Sequence, residues 1–145
     1  MGLSTLPSGS RLYLDTNVWI YALESYAAFT AALTALFARI DAGELIAITS
    51  EFTVAEVLIK LFADGNVPLQ QRYTETLRDR RSLRSVPLSR DILVAAARLR
   101  AQVATLKMPD ALHAATALTE GVDYLISNDA RLAAVPGLQQ LGLSG

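Results

Sequence analysis

Short apolar runs rich in strand formers alternate along this chain with longer stretches whose apolar residues recur every three or four positions. The first run holds Arg11, Leu12, Tyr13 and Leu14, and Asp15, Thr16 and Asn17 follow it at once as a triplet of helix-starting residues. Helical spacing then predicts a helix over 18–40, stopped by Asp41, Ala42 and Gly43. A strand is expected over 44–49, a helix capped by Ser50 to about residue 63, and a second helix with a polar, basic face over 68–81. A brief strand follows over 83–87, and Ser89 is placed to cap a helix over 91–105 whose Ile92, Ala95, Ala96, Leu99 and Val103 share one face. Pro109 suits the first turn of a helix running to Glu120, with Gly121 past its end. A strand over 122–127, a short helix over 130–134 and a last strand over 138–141 complete the chain.

Strands separated by helices call for crossover connections. The fold class expected is therefore α/β: a single three-layer α/β/α domain with a mostly parallel sheet of about four to five strands. At 145 residues and 52% hydrophobic, the chain can bury a core and is not disordered. Residues 1–10 read as a flexible Gly/Ser/Pro leader and 11–145 as the domain. No apolar run reaches the roughly 18 residues of a membrane span, since Arg98 and Arg100 break the richest one. Without a visible secretory signal or any cysteine, a cytoplasmic setting is expected, with neither disulfides nor thiolate metal sites.

Net charge is −1, so no global positive field draws in nucleic acid. Locally, Arg72, Arg78, Arg80, Arg81, Arg84 and Arg90 crowd one stretch. They form either a solvated helix face or, in the sharper reading, a patch that contacts phosphates or an acidic partner, with Arg78, Arg80 and Arg81 as the candidate RNA contacts.

Four acids stand out by placement. Asp15 follows a probable buried strand, where open α/β sheets gather their ligands, and Asp129 stands in a comparable setting after Leu125, Ile126, Ser127 and Asn128. Each is equally readable as a helix cap. Asp110 lies in the first turn of its helix, where an anion gains about 0.3–1 kcal/mol from the helix dipole, and Ala111, Ala114, Ala115 and Ala117 keep that helix slim enough to approach the sheet. Glu56 lies in an otherwise apolar helix whose polar stripe is Thr49, Thr53, Glu56 and Lys60, so it needs a partner. The bland alternative is a salt bridge to Lys60 or an arginine. His113 shares the Asp110 face; a lone histidine there suits packing or hydrogen bonding better than ligation, and one His without Cys argues against zinc.

If the four carboxylates converge, two of them 4 Å apart repel by about 4 kcal/mol at an effective dielectric of 20. Such a cluster must take up protons or a hard cation. Oxygen ligands without thiols point to magnesium or manganese, and such ions over a phosphodiester support its hydrolysis.

The stretches 14–17, 50–57, 110–117 and 126–129, in that order, resemble the motifs of PIN domains, most closely the VapC-type toxins of toxin–antitoxin pairs, over residues 12–141. The resemblance implies a PIN-like fold and an endoribonuclease dependent on Mg2+ or Mn2+, one or two ions. It also implies an RNA substrate, a homodimer and a cognate antitoxin protein that covers the site. Carried over by position, Asp15 and Asp110 would be the central metal ligands and Glu56 and Asp129 would complete the catalytic acidic pocket. Asn17 and Ser127 would be supporting polar residues, and Thr16 would cap the first helix. Ser127 stands where the family often has Thr, and Leu132 where it often has an aromatic. The alternatives are a catalytically silent PIN-like module for RNA or protein binding, and a haloacid-dehalogenase-like phosphatase, which would want an acid in place of Asn17.

Overall fold

A computed structural model describes residues 2–143. Met1, at the head of the expected leader, and Ser144 and Gly145, at the end of the expected domain, lie outside the described residues. Five parallel strands form one sheet in the order β3-β2-β1-β4-β5, with β1 at Arg11–Leu14, β2 at Ile46–Ser50, β3 at Leu83–Val86, β4 at Tyr124–Ile126 and β5 at Gln140–Leu141. Six α-helices connect them: α1 (Thr16–Leu23), α2 (Thr30–Asp41), α3 (Phe52–Asp64), α4 (Val67–Thr76), α5 (Arg90–Gln102) and α6 (Met108–Thr119). No helix among the described residues is long and apolar enough to cross a membrane.

Alternation along the strands sorts the helices into two layers. Leu12, Leu14, Ala47 and Ile126 pack with Val18, Trp19, Leu36, Val57 and Tyr73 from α1 to α4 on one face. Tyr13, Ile48 and Leu125 point the other way, into a core with Ile92, Ala96 and Leu99 of α5 and the alanines of α6. Ala111, Ala114, Ala115 and Ala117 are all fully buried, as a slim helix against a sheet requires. The three-layer α/β/α architecture expected from the periodicity is the one observed.

The strand order reverses between β1 and β4, because the chain builds outward from β1 to β3 on one side and from β4 to β5 on the other. The crevice beyond the carboxyl ends of two such strands is where open α/β sheets bind ligands. Asp15 and Ser127 are the residues that leave β1 and β4 there, with the Asp15 amide still donating to Ile126 O at 3.1 Å.

Several local expectations need correction. The single helix expected over 18–40 is broken: α1 stops at Leu23, and Ser25 adopts a left-handed φ of 54°. The break is held by Tyr21 packing on both Tyr26 and Phe29 (ring centroids 4.9 and 4.7 Å) and by Tyr73 donating to Glu24 Oε2 at 2.5 Å. Apolar spacing continues through the break because both helices bury the same face, so periodicity alone could not reveal it. Helix α4 ends at Thr76, not at 81: Leu77 turns into the core, the Ser85 amide donates to Asp79 Oδ1, and Arg80 bridges backbone-to-backbone to Leu83. The expected leader is docked on the domain. Leu3 and Leu6 are buried in the first core, a short 3-10 turn spans Leu3–Thr5, and the Gly9 amide donates to Glu44 O. Two buried leucines, each worth about 1.5–3 kcal/mol, outweigh the flexibility its Gly and Ser content suggests.

Candidate active site

The turn after β1 places Asp15 as the N-cap of α1, its Oδ1 accepting from the Thr16 amide at 2.9 Å. Its other oxygen, Oδ2, accepts from the Ser127 hydroxyl at 2.7 Å, so the ends of β1 and β4 are joined through one carboxylate. Ser127 Oγ in turn accepts from the Asp129 amide at 3.0 Å, closing the turn that presents Asp129. Asp129 caps a short 3-10 helix over Ala130–Ala134, accepting from the Arg131 amide. The cap reading and the site reading of both acids are therefore compatible: each spends one oxygen on its helix start.

Glu56 comes from α3, on the opposite layer from α6, and the two helices meet over the carboxyl edge of the sheet. Its Oε1 accepts from Thr16 Oγ1 at 2.6 Å and from His113 Nε2 at 2.5 Å. The salt bridge to Lys60 or an arginine is thus replaced by a histidine and a hydroxyl. Burial raises the Glu56 carboxyl, but the His113 and Thr16 contacts outweigh it and hold the group below its ordinary value. Thr16, expected to cap the first helix, is instead its first residue and serves Glu56; the cap is Asp15. Behind His113, Tyr13 places its hydroxyl 2.5 Å from Nδ1. Burial, then the negative charges of Asp15 and Glu56, push the Tyr13 phenol well above its ordinary value.

Asp110, in the first turn of α6, accepts from the Lys107 amide at 3.2 Å and is buried. Arg131 stands between it and Asp129, with Nη2 at 2.9 Å from Asp129 Oδ2 and 3.6 Å from Asp110 Oδ1. That hydrogen bond lowers the Asp129 carboxyl, overcoming a smaller opposing effect of burial.

All four acids, with Thr16, Asn17, His113 and Arg131, line one pocket of about 270 Å³. A larger pocket of about 400 Å³ between α1, α2 and α4 contains Trp19, Phe37 and Arg72 but none of these acids. Among the described residues, no group of three or more Asp, Glu or His side chains is gathered closely enough to hold a metal ion as it stands. The acids are tied to Ser127, His113, Thr16 and Arg131, and the Arg131 guanidinium takes a cation's place on two of them. The donor set itself, carboxylates with hydroxyl and amide oxygens and no thiol, suits a hard cation. The Arg131 side chain is 50% exposed, so it has room to swing away.

The residues singled out in the sequence divide cleanly. Asp15, Glu56, Asp110 and Asp129, with Thr16, Asn17 and Ser127, are brought to this edge. Arg78, Arg80 and Arg81 are not: Arg80 and Arg81 line a pocket with Gly43, Ile46 and Leu83, at the amino ends of β2 and β3. Arg84, from the same stretch, pairs with Glu120. Sequence reasoning gave no site role to Arg131 and only a packing or hydrogen-bonding role to His113. The available signals were a cation two residues beyond Asp129 and a histidine three residues beyond Asp110, on the same helical face.

A family model for the PIN domain matches residues 12–138, and the chain belongs to the PIN domain family. No curated protein sequence matches it. Among solved structures, it is similar to VapBC2 from Rickettsia felis bound to a DNA fragment from its promoter, at 18% identity and a TM-score of 0.72, covering 91% of this chain and 98% of that one. A toxin–antitoxin complex from Klebsiella pneumoniae is 25% identical with a TM-score of 0.64, covering 88% and 94%. VapC20 of Mycobacterium tuberculosis, described as a sarcin-ricin loop cleaving toxin, is 15% identical with a TM-score of 0.66, covering 88% and 98%.

Proposed function

We propose that this PIN domain is a VapC-like endoribonuclease dependent on magnesium or manganese, and the toxin of a toxin–antitoxin pair. The observation that carries the proposal is the meeting of four acids, far apart in sequence, in one pocket at the switch point of the sheet. Left unpaired, such acids repel one another, and here their charge is met by Arg131 and by hydrogen-bond donors. For an ion to enter, Arg131 would swing out; Asp15 and Asp110 would then hold it, and Glu56 and Asp129 would hold a second ion or orient the attacking water. A divalent ion there supplies a water of lowered pKa and neutralises charge on the leaving oxygen. Glu56, kept ionised by Thr16 and His113, is suited to orient that water as a hydrogen-bond acceptor. The toxin–antitoxin structures among its neighbours support an antitoxin partner. The apolar side chains left exposed on α3 (Ile59, Phe62) and α5 (Leu93, Val94) support coverage by protein, including the expected second copy.

One observation favours a second reading, a PIN module that binds without cutting: Arg131 already neutralises Asp110 and Asp129. The two readings part on cleavage of a mixed pool of transfer and ribosomal RNA fragments by wild type and Asp15→Asn, each with magnesium, manganese or chelator. Metal-dependent cutting that Asp15→Asn abolishes supports the nuclease. Cutting that survives in the variant overturns the assignment of the site. Absence of cutting by both, with no ion bound by the wild type, supports the silent module.

A further inference from the structure

Behind Glu56 a chain of buried polar groups runs through His113 to Tyr13, to which the proposed chemistry gives no role. Tyr13 is fully buried in the middle of β1, yet its hydroxyl is 2.5 Å from Nδ1 of His113, itself only 3% exposed. On the far side of the ring, Nε2 lies 2.5 Å from Glu56 Oε1 and 3.2 Å from Thr16 Oγ1. The proton positions follow from what each neighbour can do. Glu56 is an acceptor, and the single Thr16 hydroxyl proton is directed at Glu56 Oε1 at 2.6 Å, leaving its oxygen to accept. Nε2 therefore faces two acceptors and must carry a proton. The Ser50 amide and hydroxyl also face the Tyr13 oxygen as donors. With those donors on its oxygen, the buried phenol has Nδ1 of His113 as the acceptor for its own proton.

We propose that Tyr13 and His113 are positioning residues for Glu56: the Tyr13 hydroxyl fixes the His113 ring from behind, and the Nε2–H of that ring, with the Thr16 hydroxyl, pins Oε1 of Glu56. Both bonds fall on Oε1, and Oε2 has no protein partner among the described residues, so the pinned carboxylate turns one oxygen to the pocket. Outer partners that fix the tautomer and orientation of a site residue typically change metal affinity or activity about 10–100-fold when removed. The consequence for catalysis rests on the nuclease reading; the proton arrangement does not.

His113 is the one histidine in the chain, so its ring nitrogens can be read without assignment by long-range 1H–15N correlation on the metal-free protein. The wild type is expected to carry a proton on Nε2, and Tyr13→Phe to keep it while shifting the resonance of Nδ1, the nitrogen that loses its phenol partner. A wild-type ring with no proton on Nε2 would overturn the proposal whether or not the protein cuts RNA. A second measurement is manganese binding without RNA. Tyr13→Phe and His113→Ala are expected to weaken it about 10–100-fold, while His113→Gln, which keeps a donor toward Glu56, recovers a part. Equal loss in His113→Gln and His113→Ala would mean that the ring merely fills space. Failure of the nuclease reading would appear separately, as wild-type protein with the expected Nε2 proton and no cleavage.

Discussion

Replacing Ser127 by alanine removes the hydroxyl that joins the two central strands through Asp15. Ser127 is 1% exposed, and its Oγ donates to Asp15 Oδ2 at 2.7 Å while accepting from the Asp129 amide at 3.0 Å. A hydrogen bond to a charged acceptor contributes about 1.5–3 kcal/mol. The Asp129 amide sits in a half-buried turn where water can replace Oγ, so its loss adds at most about 1 kcal/mol. The expected destabilisation in chelator at neutral pH is therefore about 2–3 kcal/mol, a large share of the roughly 5–15 kcal/mol available to a domain. With a urea slope of about 1.5 kcal/mol/M, the unfolding midpoint should fall by roughly 1.3–2 M with the slope unchanged. Ser127→Thr keeps the hydroxyl and should recover most of the loss, less the cost of fitting one methyl group. A loss below about 0.5 kcal/mol for Ser127→Ala would refute the reasoning, because a buried charge-assisted bond cannot be worth so little.

Three other perturbations probe separate parts of the account. Glu56 sits below its ordinary value of 4.5 in the folded protein, so its ionised contacts add stability that is present above that value and lost as pH falls through the lower folded value. The stability gap between wild type and Glu56→Gln in chelator should thus hold at neutral pH and shrink in acid; urea midpoints across pH check this, and a gap that widens in acid contradicts it. Tyr73→Phe removes only the donor to Glu24 Oε2 and keeps the buried ring, so it should cost about 1–2 kcal/mol in urea unfolding while leaving RNA cleavage unchanged. Replacing Arg78, Arg80 and Arg81 by glutamine should leave the salt dependence of binding to a short RNA hairpin unchanged, since Arg80 and Arg81 lie at the opposite edge of the sheet from the acids. A shallower salt slope with the short hairpin would show that the patch touches RNA after all.

What the chain reveals before folding is the sheet's plan and its acids. Leu12, Tyr13 and Leu14 announce a buried strand, Asp15 announces its carboxyl end, and the alanines of α6 announce close packing, because each of these signals is local. The partner of Glu56 was not legible. His113 is 57 positions away and comes from the other layer, so only the closure of two helices over the sheet edge joins them. The same limit hid Arg131, whose role depends on Asp110 arriving from a different helix. Composition is a poor guide in two stretches. A Gly- and Ser-containing start conceals Leu3 and Leu6, which pack on the core, and an arginine-rich stretch has the polar look of a continuous helix face although Leu77 and Asp79 turn it back toward β3.

The account stands or falls on whether the four acids act as one cation site. Manganese binding measured by calorimetry on the metal-free protein tests this most directly, comparing wild type with Asp15→Asn, Asp110→Asn and, as a control, the exposed Glu51→Gln outside the pocket. Binding by wild type and Glu51→Gln that weakens at least about tenfold in both aspartate variants is the expected result. Binding that is indifferent to Asp15 and Asp110, or absent from the wild type, would contradict the site.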